Sequence, residues 1–118
     1  MSAGSVLALA AVDALRPLPG LAGAYVAPPV QAGLPYARID AGPELDWSHK
    51  SGTGREVRLA VVLHGRGEDR RPLQGLADEA ERATLGLEHA LQGWRIVTLV
   101  FVRRREADSG RGPAVTSE

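Results

Sequence analysis

Between Arg55 and His64 the chain places Val57, Leu59, Val61 and Leu63 at every second position, with Arg58, Ala60, Val62 and His64 between them. A period of two puts one apolar face on one side of a pleated strand, and a helix with its 3.6-residue repeat cannot satisfy it. The period changes after Pro72. Leu73, Leu76, Ala77, Ala80, Ala83, Leu87, Ala90 and Leu91 fall on one helical stripe, while Asp78, Glu79, Glu81, Arg82 and Glu88 lie largely outside it. Pro72 suits a first helical turn because its missing N–H is not needed there, and Gly93 closes the stripe. A strand with one apolar face, followed by a helix with one apolar stripe, predicts a helix layer on a sheet.

The rest of the chain extends this plan. Residues 5–16 predict a first helix, with Ser2 or Ser5 as N-cap and Pro17, Pro19 and Gly20 as its stop. Residues 23–26 read as a short strand, and three prolines with a glycine make residues 27–35 an extended loop. Residues 36–41 alternate as a strand. Residues 42–54, polar and glycine-rich except for Leu45 and Trp47, read as a mobile loop or long hairpin. Residues 94–103 are apolar on both faces, which predicts a central strand. After a turn at residues 107–113, residues 114–116 begin a last strand that the chain barely enters. The fold class that follows is α+β: a small mixed or antiparallel sheet with two helices packed on one face, in a single domain over residues 1–118.

Composition narrows the function classes. Two Trp, two Tyr and one Phe in 118 residues leave small aliphatic side chains to fill the core. A thin core stabilises little, so burying a further face against another subunit would add disproportionately. Fourteen basic residues balance fourteen acidic ones, so no general attraction to nucleic acid or anionic membrane is expected. The absence of cysteine removes disulfides, thiolate metal sites and thiol nucleophiles. No apolar stretch reaches the length of a membrane span, and the run from Ser5 to Val12 lacks the basic flank of a secretory signal.

Motifs for chemistry are weak. His64-Gly65-Arg66-Gly67 lacks the lysine and the immediate helix of a phosphate loop. His49, His64 and His89 have no ligand set around them, and no serine occupies a strand-to-helix elbow. The carboxylate pairs Glu44 with Asp46 and Glu68 with Asp69 fall in predicted loops, where they solvate turns. No catalytic, cofactor or metal residues are therefore expected, and the chain is read as a non-enzyme. Arg103, Arg104 and Arg105 form the one concentrated basic run. Guanidinium forks suit phosphates and carboxylates alike, and strand alternation would send Arg103 and Arg105 one way and Arg104 the other.

Taken together, these pieces resemble the tail completion protein family of tailed phages and bacterial gene transfer agents. The resemblance runs over nearly the whole length. It is carried by the alanine-rich first helix, Tyr25-Val26, Pro35-Tyr36, Asp46-Trp47-Ser48-His49-Lys50-Ser51-Gly52, the strand at 57–64, the helix after Pro72, and residues 99–103. Members are similar in fold to tail terminators, which form a ring, commonly a hexamer, on the end of a tail tube and face the head connector.

The resemblance implies a structural virion protein that caps the tail tube and joins it to the head, located in the particle tail after assembly in the bacterial cytoplasm. Its implied partners are copies of itself, the tail tube protein and the head–tail connector protein, with no cofactor, no specific nucleic acid and no membrane. Trp47, His49, Lys50, Arg103, Arg104 and Arg105 become the candidate interface residues. Members usually continue with a strand after the turn that here holds Gly110 and Gly112, so the expectation is a final strand cut short or completed by a neighbour. The alternative is a small monomeric ligand-binding or enzyme-accessory domain, which predicts a monomer with an enclosed pocket rather than a discrete oligomer.

Overall fold

In the computed structural model, residues 2–27, 29, 33–46, 54–67, 69–109 and 112–117 are described. The first helix, α1, spans Ala3–Leu15. Ser2 precedes it in an extended conformation, and its Oγ accepts the Ser5 N–H at 3.1 Å, satisfying one of the amides that a helix start leaves unpaired. The chain then turns through Gly20, whose φ of +86° is left-handed, and enters β1 at Gly23–Tyr25. Across the loop that follows, the Ala22 N–H donates to the Pro35 carbonyl at 2.7 Å.

Strands β2, Tyr36–Asp46, and β3, Arg55–His64, form an antiparallel hairpin in which Ala37 faces Leu63, Ile39 faces Val61 and Ala41 faces Leu59. The described part of the 42–54 segment is therefore hairpin rather than loop. The pairing shifts register between Ala41 and Glu44, around Gly42 and Pro43. Proline fits there because β1 pairs only with residues 36–38 of β2, so its missing N–H interrupts no second ladder.

The second helix, α2, covers Arg71–Leu85. It is shorter than the stripe predicts. Gly86 caps it, with its N–H on the Arg82 carbonyl at 3.0 Å, so residues 87–91 leave the helix despite their apolar spacing. Two short strands follow, β4 at Ala90–Leu91 and β5 at Trp94–Arg95, joined through Gly93 at φ +78° into a separate two-stranded hairpin.

The expected central strand at 94–103 is not in the main sheet. Residues 96–103 are irregular, and the chain returns to the sheet only as β6, Arg104–Ser109, and β7, Gly112–Ser117. The physical reason is topological. Strand β7 pairs antiparallel with both β3 and β6, so it, and not the apolar run, is the internal strand on that side of β3. The main sheet runs β1-β2-β3-β7-β6, with β1 and β2 parallel and the other neighbours antiparallel. The last strand, expected as a bare beginning at 114–116, is thus a full internal member.

Both helices lie on one face. α1 rests on β1, β2 and β3 and touches α2, which rests on β3 and β7. Between the layers, Ala8, Ala11, Val12 and Leu15 of α1 and Leu73, Leu76, Ala77 and Ala80 of α2 meet Ala24, Ala37, Ile39, Leu59, Val61 and Leu63 of the sheet. Among the described residues no aromatic ring is buried there, and the largest fully buried side chains are Leu15, Ile39, Leu63 and Val12. The alanines of this layer each remove little apolar area, so it is stabilised mainly by its leucines, valines and isoleucine, about 1.5 to 3 kcal/mol each when fully buried. The fold is α+β, as the alternation and the stripe predict.

Candidate functional site

Of the six residues singled out in the sequence, Trp47, His49 and Lys50 lie outside the described residues. The other three do not form one patch. Arg103 is exposed and precedes β6, so strand alternation does not govern it. Arg104 opens β6 and turns toward α2. Its Nη1 donates to Asp78 Oδ1 at 2.7 Å, and its Nη2 donates to the Ala77 carbonyl and to Glu81 Oε1, both at 3.1 Å. Glu106, two residues on, accepts from the Gln74 amide at 2.7 Å. Arg104 and Glu106 therefore share the helix face of β6, and Arg105 between them is exposed. What reads as a basic run in sequence divides into a clamp at Arg104 and exposed guanidinium groups at Arg103 and Arg105.

The helix-free face of the sheet carries a group of aromatic and charged side chains. Tyr36 and His64 are register partners whose rings stack with centroids 4.9 Å apart and planes 24° apart. Tyr25 meets Tyr36 edge-on at 6.0 Å. Arg38 pairs with Asp40 on the same strand and lies opposite Val62, which is buried at 8% exposure although no helix covers this face. Burial first, and the Arg38 charge second, hold the His64 pKa below its ordinary 6.5, so the imidazole is neutral near neutrality. The histidine is a stacked, uncharged member of a small aromatic ladder.

The feature that residue-type reasoning missed lies between the two hairpins. Val97 (65% exposed), Val100 (66%), Phe101 (44%) and Val102 (53%) stand in water, with the polar Thr98 and the half-buried Leu99 between the first two. Their alternating, β-branched character is visible in the sequence, but it points to a central strand and thus to burial. Absence of a turn signal between Val102 and Arg104 is the clue that this run and β6 are one uninterrupted stretch. A half-open depression of about 360 Å³ lies nearby, lined by Val6, Gln92, Gly93 and Trp94.

Among the described residues, no group of three His, Asp or Glu side chains is placed to hold a metal ion, and no helix is long and apolar enough to cross a membrane. The loop from His64 to Arg70 does not lead its glycines into a helix N-terminus, because α2 starts only at Arg71, where Asp69 accepts the Arg71 N–H at 3.0 Å. Compared with family models, with curated proteins and with solved structures, the chain matches none.

Proposed function

We propose that this chain is a structural subunit that assembles with copies of itself into a ring, caps a phage-like tail tube and connects it to the head. The observation that carries the reading is the exposed apolar run at 97–102, set directly before an edge strand of the sheet. Four large apolar side chains in water within six residues mark a contact surface for a partner, and a core built on alanine gains stability from covering it. The resemblance drawn from Asp46-Trp47-Ser48-His49-Lys50-Ser51-Gly52 and the flanking elements supplies the kind of assembly: a tail terminator of a virion or gene transfer agent, with the tail tube and the connector as neighbours. Its role is mechanical, and no reaction is proposed.

The test is removal from particle-producing cells. Without the chain, electron micrographs are expected to show heads and tails unjoined, with tail ends lacking a terminal ring, and supplying the protein restores joining. Normal joined particles in its absence would contradict the proposal, and a small molecule held by a monomer would favour the ligand-binding alternative.

A further inference from the structure

Beyond the residues that pair with β1, 36–38, and with β7, 61–64, the β2–β3 hairpin runs on as a two-stranded ribbon. Its register continues through Ala41 with Leu59, Glu44 with Val57, Leu45 with Glu56 and Asp46 with Arg55. Two strands alone are marginally stable in water, so such a ribbon gains from being covered. Residues 41–46 are all exposed, and Leu45, at 56%, is the most exposed of the described large apolar residues outside 97–102. Glu44 precedes it and Glu56 is its register partner, and among the described residues neither carboxylate has an ion-pair partner.

The 97–102 run sets the opposite charge beside the same kind of surface. Arg95 and Arg105 flank it, both exposed and, among the described residues, both without an ion-pair partner, and no acidic residue occurs from Arg95 to Arg105. Glu56 and Arg105 share the helix-free face. Glu56 alternates with Val57 and Leu59, and Arg105 stands between Arg104 and Glu106, which turn to α2. The two surfaces also lie on opposite sides of the sheet. Among the described residues, β2 is outermost on one side past residue 38, β6, which the run enters, is the last strand on the other, and β3 and β7 stand between. Surfaces on opposite sides of one chain meet head to tail in successive copies, and such contacts close into rings.

We infer that the β2–β3 ribbon of one copy packs through Leu45 against the 97–102 run of a second copy, with Glu56 beside the second copy's Arg105. The inference rests on the ring reading above and names the contact that joins neighbours. Leu45 and the exposed Val97, Val100, Phe101 and Val102 are covered together, and side chains rather than strand pairing carry the contact. The charges lie at its rim, where they select partner and orientation more than they add affinity.

Charge exchange tests it. Glu56→Arg and Arg105→Glu each set like charges across the contact; each is expected to stay folded by circular dichroism and to need about tenfold more protein for half-assembly. Both changes in one chain restore opposite charges and are expected to return assembly to within about threefold of the wild type. The absence of native cysteine allows a second arm. Leu45→Cys and Val100→Cys proteins, mixed and oxidised, are expected to give the covalent pair of unlike chains several-fold above Val100→Cys mixed with Asp13→Cys, whose site on α1 is exposed. If the wild type assembles but the single reversals assemble like it, the double variant stays as weak as they are, or cross-linking equals the control, the inference is overturned and the ring reading stands. A wild type that stays monomeric at all concentrations and on tail tubes sinks both.

Discussion

Arg104 on β6 and Asp78 on α2, 26 residues apart in the chain, are joined by a 2.7 Å hydrogen bond from Nη1 to Oδ1. Glu81, one turn further along α2, accepts the second nitrogen. The arginine is 24% exposed, so its charge is partly shielded from water, whereas Asp78 is 60% exposed and contributes less. With the Gln74–Glu106 hydrogen bond, it ties β6 to the helix layer.

Truncating Arg104 to alanine is therefore expected to lower stability by about 1 to 2 kcal/mol, because it breaks charge-assisted bonds and leaves the Ala77 carbonyl without that donor. Arg105→Ala is expected to change stability by no more than about 0.5 kcal/mol, as exposed positions usually do. Urea unfolding of both variants checks this, and equal midpoints would contradict it. Because Arg104 is bonded to α2, reversing its charge would act on the fold as well as on any assembly contact.

His64 makes stability depend on pH. Its folded pKa lies below 6.5, so when pH falls beneath that value the unfolded chain takes up the proton first and folding is progressively disfavoured down to the folded pKa. At pH 7.5 and above, both states are neutral and the effect vanishes. His64→Phe keeps a ring against Tyr36 and removes the proton. Thermal midpoints from pH 7.5 to 5 are expected to fall more steeply in the wild type than in His64→Phe; parallel curves would refute the assignment.

Gly20 carries a backbone requirement. At φ +86° an added Cβ meets nothing closer than Leu76 Cδ2 at 3.9 Å, so space is available and only the left-handed conformation opposes a side chain. Gly20→Ala is expected to cost about 1 kcal/mol, visible as a lower denaturation midpoint with an unchanged slope. A neutral result would mean that the turn relaxes.

How much of this was legible before the structure depends on the element. The alternation at 57–63 and the stripe from Leu73 to Ala80 were readable because each period is long enough to exclude the other, and Leu59, Val61, Leu63, Leu73, Leu76, Ala77 and Ala80 do form the core, while Val57 stays half-buried. The end of α2 was not, since Leu87, Ala90 and Leu91 continue the helical spacing while Gly86, a weak signal alone, ends the helix. The run at 94–103 shows the deeper limit: local pattern says strand, but pairing is set by long-range topology, and it is β7 that pairs with β3 on the side away from β2. For the site, strand alternation separated Arg104 from Arg105 correctly, but Arg103 lies before the strand and the alternation does not reach it. The Tyr36–His64 stack depends on a cross-strand register that no local window contains.

Self-assembly is the central claim, and native mass measurement of the purified chain across a concentration series, alone and with tail tubes, tests it most directly. The account predicts one discrete closed species, a small whole-number multiple of 12.5 kDa with a hexamer as the expected size, that forms in solution or on the tube end and resists dilution once closed. A chain that remains at 12.5 kDa under every condition, tubes included, contradicts it.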